Sequence, residues 1–336
     1  MISATDPSAV PSESGRFSAV PLWERYINIL GPLVMIFLLC IVMAVVEPRF
    51  FGVRNLMIIL QDAAIFMVLG MAMTIVITGK GIDLSIGAVA SLSAVIMALL
   101  IKDAGLNHYL AMIVALAVGV GCGAVNGLVI TKLNVHDLIA TLAMEQVYRG
   151  LALVLAAGTV LARFPQPIPF MGRGRLFDTV PVTAVIGVVF LIVGVVLYRY
   201  TWLGRYAIAI GANREAAMLT GISIDRQKIY HYALMGGCAA FAGILLTGRL
   251  NAIQATAAEG FALHTIAAVV VGGTVLFGGR GTMLGTLTGV ILLSMVTNAL
   301  VVMRLQFFWQ LVASGTIIIL AIGFYSWLQK RTGSSG

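Results

Sequence analysis

Between residues 28 and 328 the chain alternates long apolar runs with short polar breaks. The runs cover 28–46, 55–78, 84–101, 109–131, 137–158, 179–199, 229–250, 263–279, 282–303 and 307–328. Each approaches the roughly 20 apolar residues that a helix needs to cross the hydrocarbon of a bilayer. The pattern therefore predicts an all-α polytopic membrane protein with about ten transmembrane helices. The fifth run carries polar residues and the eighth is short, so broken or re-entrant segments are expected at either. The membrane domain, 28–328, is flanked by polar tails at 1–27 and 329–336. Two connections are long: 159–178, with three prolines, and 200–228, the most charged stretch of the chain.

Ten spans divide into five plus five. Halves with an odd number of spans face opposite ways, which allows an inverted repeat. The fourth span carries Gly119, Gly123 and Gly127, and the ninth begins with Gly281, Gly285 and Gly289. Such ladders let helices pack closely. They sit at different depths, and glycine is common in membrane helices, so they read either as repeat markers or as ordinary packing.

Composition agrees with the pattern. The chain is 60% hydrophobic and only 10% charged, against about 25% charged for a soluble domain. It is solvated mostly by lipid. The net charge of +8 is accordingly no argument for nucleic acid; in a membrane protein basic residues gather in cytoplasmic loops. With the N-terminus inside, the inner segments hold more of them (Lys80, Lys132, Arg199, Arg205, Arg214, Arg226, Lys228 and Arg280 among them) than the outer ones. Both termini are expected to be cytoplasmic. The first twenty residues carry no cleavable signal.

Several chemistries are missing. Cys40, Cys122 and Cys238 lie inside apolar runs and match no metal or redox spacing. The four histidines form no zinc motif, and no GxxxxGK followed by Ser or Thr occurs. No nucleophile–base constellation is present, so the chain is not expected to be an enzyme. It is expected to bind no metal or cofactor of its own, and nucleotide energy would have to come from another chain.

The polar groups inside the runs are the candidates for function. "TGKGIDLSIGAVASL", 78–92, places Asp83 where the third span begins. A carboxylate there either caps the helix, accepting from free backbone amides with help from Ser85, or contacts a solute at a broken helix end. Gly79 and Gly81 let the backbone turn sharply beforehand. Glu145 and Arg149 are four apart in the fifth span and share a face; a neutralised structural pair is the favoured reading, a proton relay the other. Gln61, Asp62 and Asn126 show no obvious partners and should face the bundle interior, as solute path or as glue between helices. The inner stretch "GANREAAMLTGI" has a good N-cap in Asn213, a strong helix former in 214–219 and a stop in Gly221. It predicts a helix of about two turns, suited to taking force from a cytoplasmic partner.

These strings resemble the ribose-type sugar permeases of bacterial ATP-binding-cassette importers. "TGKGIDLSIGA", "VNGLVI", "LIATLAMEQVYRGLAL", "GRYAIAIGANREAAMLTGI" and the long stretch from Thr247 to Val290 follow that family in order and spacing. The resemblance runs from about Asn55 to Trp327. It implies a permease subunit, moving a monosaccharide or related polyol, that forms the pore with a second copy in the bacterial inner membrane. It also implies a cytoplasmic ATPase with paired nucleotide-binding domains, which binds the ATP and magnesium, and a periplasmic sugar-binding protein. Asn213, Arg214, Glu215 and Ala216 fall in the family's coupling segment, 200–228, and Asp83, Ser85 and Asn126 line up near the pathway. Lys80 stands where the family usually has a small residue and His264 where an acid is common, in an outer vestibule. Asp62 and Glu145 are added charges. Gln61, Asp62, Asp83, Ser85, Asn126 and His264 are the expected substrate-pathway residues. The alternatives from other classes are a proton-coupled secondary transporter and a passive channel; neither needs a docking helix.

Overall fold

The computed structural model describes residues 22–306 together with 309, 312, 315, 316, 319 and 323; for 22–29 it gives the backbone alone. The twelve helices among the described residues are α1 (Leu22–Val46), α2 (Val53–Thr78), α3 (Ile86–Lys102), α4 (His108–Lys132), α5 (Asp137–Leu155), α6 (Ile168–Arg173), α7 (Val182–Tyr200), α8 (Trp202–Ala212), α9 (Arg214–Leu219), α10 (Ile224–Leu250), α11 (Phe261–Val271) and α12 (Met283–Val302). Six of them, α2, α4, α5, α7, α10 and α12, are long and apolar enough to cross a membrane. The apolar part of α1, with α3 and α11, forms a shorter set. Nine of the ten expected spans thus coincide with helices, and the chain is an all-α, multi-pass membrane protein. The tenth, 307–328, and the tails 1–21 and 329–336 lie outside the continuously described residues.

The first helix starts at Leu22, six residues before the apolar run that predicts it. The fifth span, expected to be broken, is one continuous helix of 19 residues. The eighth is broken: α11 has only 11 residues and gives way to an irregular stretch over 272–282. Four two-residue strands make two small antiparallel pairs. β1 (Leu161–Ala162) pairs with β4 (Ala252–Ile253), Leu161 opposite Ile253, and β2 (Arg175–Leu176) with β3 (Val180–Pro181).

The centre of the bundle is α2 beside α10. From Ala63 to Thr78 every α2 residue except Phe66 is buried. The two helices run antiparallel: Asp62 meets Arg249 at one end, and Gly79 lies against His231 at the other. α4 packs against α10 through its glycine ladder. A Cβ on Gly119, Gly123 or Gly127 would strike Gly236, Tyr232 or Ile229 of α10, so only hydrogen fits at these contacts and the backbones approach closely. The ladder of α12 faces a different neighbour: Gly285 and Gly289 meet Gly272 and Ala268 at the end of α11. The two ladders therefore serve non-equivalent contacts and do not mark a repeat.

A likeness between the halves lies elsewhere. α2 and α10 each close on a threonine, a glycine and a base (Thr78-Gly79-Lys80 and Thr247-Gly248-Arg249). Each is followed by an irregular stretch and a shorter helix, α3 or α11. Because α2 and α10 are antiparallel, the two breaks sit at opposite ends of the bundle.

Candidate functional site

The break after α2 is built by its sequence. Gly79 ends the helix, and Lys80 follows at φ 60°, in the left-handed region that costs a side chain about 1–2 kcal/mol. Lys80 N–H and Gly81 N–H close the turn on the Ile77 and Val76 carbonyls, both at 2.9 Å. The chain then runs without regular structure to Ser85, which occupies the N-cap position of α3. The cap expected of Asp83 is thus shifted. Asp83 lies two residues earlier, and its Oδ1 accepts from the Ser85 N–H at 2.9 Å and the Ser85 hydroxyl at 2.7 Å.

From Ser85 a polar chain crosses the bundle. Asn126 Nδ2 donates to Ser85 Oγ at 2.7 Å, and the Tyr148 hydroxyl lies 3.0 Å from Asn126 Oδ1 and 2.9 Å from the Cys122 carbonyl. Asp83, Ser85, Asn126 and Tyr148 are all buried. Three of the six expected pathway residues are therefore brought together, but as a sealed clasp joining α3, α4 and α5, with no face on open space. Buried polar groups that satisfy one another hold a unique arrangement, since any one left unpaired is costly.

A second cluster clamps the other side of the same break. Lys228 Nζ stands 2.6 and 2.8 Å from the two carboxylate oxygens of Asp137. The Tyr232 hydroxyl donates to Asp137 Oδ2 at 2.9 Å and lies 3.0 Å from the Ile82 carbonyl. The start of α5, the first turns of α10 and the 79–85 stretch are thereby locked together. Sequence reading missed this group: Asp137 and Lys228 stand 91 residues apart, and only the packing of α5 near α10 relates them.

Two further ion pairs lie within the bundle. Glu145 and Arg149 pair, as their helical spacing predicts. Gln146 Nε2 donates to the second Glu145 oxygen at 2.7 Å, and Arg149 Nη1 reaches Glu259 at 3.1 Å. Asp62, expected to lack a partner, pairs with Arg249; the antiparallel contact of α2 with α10 supplies it. Gln61 beside it is half-buried. His264 does not front an open vestibule. Its ring lies on that of Phe66, centroids 4.0 Å apart, and its Nε2 is buried without a hydrogen-bond partner.

The docking candidate has the expected shape. Asn213 Oδ1 accepts from Ala216 N–H at 3.0 Å, and Gly221 at φ 84° follows the end of α9. The helix has six residues, Arg214–Leu219, the span the sequence predicts. It is seated on its neighbours by Ala217, which clusters with Ile210 of α8 and Ile224 of α10. Arg214, Glu215 and Ala216 are exposed. So is Leu219, at 89%, an apolar side chain with almost no cover that sequence reading passed over. Among the described residues no group of three His, Cys, Asp or Glu is placed to hold a metal.

Known proteins are similar to this sequence over most of its length. The chain matches the family model described as "Branched-chain amino acid transport system / permease component" over residues 55–322. It is 40% identical over 294 residues to the ribose import permease protein RbsC of Bacillus subtilis (strain 168), covering 87% of this chain and 91% of that one. The ribose import permease protein RbsC of Escherichia coli (strain K12) is 35% identical over 294 residues, covering 86% and 91%. The fructose import permease protein FrcC of Rhizobium meliloti is 33% identical over 308 residues, covering 89% and 85%. No solved structure matches the chain. With a bundle of apolar spans, a family match over most of those spans and relatives that are transport components rather than enzymes, the chain belongs to the family of branched-chain amino acid transport system permease components.

Proposed function

We propose that the protein is the membrane subunit of an ATP-driven importer for a monosaccharide or related polyol. Two copies form the pore in a bacterial inner membrane, with both termini cytoplasmic. A cytoplasmic ATPase with paired nucleotide-binding domains binds ATP and magnesium, and a periplasmic binding protein delivers the sugar. The names of the relatives support sugar as the cargo class and import as the direction.

One observation carries the mechanism: α9 is a capped, outward-facing knob fixed to both α8 and α10. Force applied there passes into α10, and α10 touches the 79–85 break through Tyr232, whose hydroxyl lies on the Ile82 carbonyl. Movement of the ATPase would thus rock α10 against α4 and work on the break from below. Arg214 and Glu215 give the contact its polarity, and Leu219 its apolar anchor. A proton-coupled carrier would need a carboxylate free to take up and release protons. Asp62, Glu145 and Asp137 each have a basic partner, and Asp83 is held by Ser85.

The test is sugar-stimulated ATP hydrolysis by the complete assembly in nanodiscs. Ribose-loaded binding protein should raise hydrolysis. Replacing 213–219 with a Gly-rich segment, or Leu219 with Asp, should abolish the stimulation while the permease stays folded. Unchanged stimulation would remove the docking role from α9.

A further inference from the structure

The helices that expose a broad face at mid-bundle differ in what they show. On α1 the exposed side chains are Leu30, Leu33, Val34, Phe37, Leu38, Ile41 and their like. Those of α4 and of the middle of α7 are equally apolar, as lipid requires. α5 breaks the rule. Its exposed face carries Ile139, Leu142, Val147, Leu151 and Val154, but Gln146 stands among them, with Glu145 and Arg149 partly exposed beside it.

The depth of this polar group follows from the helix. α5 has 19 residues, or about 28 Å at 1.5 Å per residue, close to the roughly 30 Å of a hydrocarbon core. One end is fixed by Asp137 at the Lys228 cluster. Beyond the other, β1 pairs with β4 at the far end of α10. Gln146 stands midway between Asp137 and Leu155, so a bilayer crossed by α5 has it near mid-depth. Arg149 lies one turn farther along and holds Glu259 at the same depth. The side chain of Glu259 is 61% exposed and pairs with Arg149. A charged carboxylate that open cannot face lipid. Ala143 and Gly150, on the same stripe as Gln146, are small and exposed, and a Cβ on Gly150 would meet nothing within 4 Å.

We infer that this face of α5, with Glu259 from the stretch before α11, lines the water-filled path along which the solute crosses, and that Gln146, Arg149 and Glu259 are the groups that meet it. The inference rests on the transport reading above and adds to it the position of the path. It reassigns Glu145 and Arg149: their pair positions Arg149, which faces the path. It also leaves Asp83, Ser85 and Asn126 behind the wall. The chemistry selects the solute. An amide, a guanidinium and a carboxylate offer donors and acceptors to hydroxyl groups. Glu145, Arg149 and Glu259 sum to one negative charge, which favours neutral polyhydroxylated solutes over their phosphorylated or acidic derivatives.

The test uses the complete transporter, permease with ATPase and binding protein, in vesicles, with Cys40, Cys122 and Cys238 replaced by Ser. Gln146→Cys is compared with Val189→Cys, on the exposed apolar face of α7, using a charged, membrane-impermeant thiol reagent. Gln146→Cys should label at least tenfold faster than Val189→Cys in the resting or the vanadate-trapped state, and its labelling should stop ATP-driven ribose uptake. Gly150→Cys gives a second reading of the same stripe should Gln146→Cys fail to fold. Labelling of neither Gln146→Cys nor Gly150→Cys above the Val189→Cys rate, in both states, would overturn the inference. Absence of ATP-driven ribose uptake in the parent would instead overturn the transport reading, while the labelling comparison still decides where the water path runs.

Discussion

Asn126 of α4 donates its side-chain amide to the hydroxyl of Ser85 at 2.7 Å, both residues fully buried. That one bond ties the fourth span to the broken start of the third. Asn126→Ala would leave the Ser85 oxygen without its donor in a dry interior, while the Tyr148 hydroxyl keeps the Cys122 carbonyl. An unsatisfied buried group costs about 1–3 kcal/mol, so the variant should lose about 2 kcal/mol. Tyr148→Phe should lose about 1 kcal/mol. Unfolding in detergent, followed by heat or denaturant, measures both, and equal losses would contradict the chain of bonds described.

Lys228→Met should be more damaging than Asp137→Asn. Removing the base leaves the Asp137 carboxylate buried and uncompensated, which costs about 3–5 kcal/mol; removing the charge on Asp137 leaves Lys228, with a longer and slightly more exposed side chain, able to reach water. The double variant should recover much of the loss. A double-mutant cycle on unfolding free energy measures the coupling, and strict additivity would show that the pair is not formed.

Lys80 sits at φ 60° between two glycines. Lys80→Gly should be neutral or stabilising by up to about 1 kcal/mol, since glycine enters this region freely but loses more chain entropy on folding. Lys80→Val should lose about 2 kcal/mol, because a β-branched residue resists that conformation. Lys80→Gly should therefore melt at or above the parent temperature and Lys80→Val below it.

Gly123→Leu should separate α4 from α10. A side chain there has no room against the Tyr232 carbonyl, and overpacking a tight helix contact costs about 1–3 kcal/mol or more. Gly121→Leu, two residues earlier on the opposite face of α4 and with nothing within 4 Å of its Cβ, should be tolerated. Expression level and thermal stability of the two, side by side, check the orientation of α4.

The spans were legible because lipid is a uniform solvent: a run long and apolar enough to cross it has little other use, and nine runs coincide with helices. The Glu145–Arg149 pair and the Asn213 cap were legible because helical spacing alone brings their partners together. The Asp62–Arg249 pair was not, although both charges were in view. Its members are 187 residues apart, and hydropathy says where a helix crosses but not which helix it meets. For the same reason Asp83, Ser85 and Asn126 read as pathway residues when taken one at a time, and only their mutual bonds show a clasp. Exposure of Gln146 midway along α5 is a fact of packing with no sequence signal of its own.

The source of energy is tested most directly by ribose uptake into vesicles holding the permease, the ATPase and the binding protein. Accumulation should require ATP inside the compartment that holds the ATPase and should persist when an uncoupler collapses the proton gradient. Accumulation driven by an imposed pH gradient, with the ATPase left out, would contradict the account.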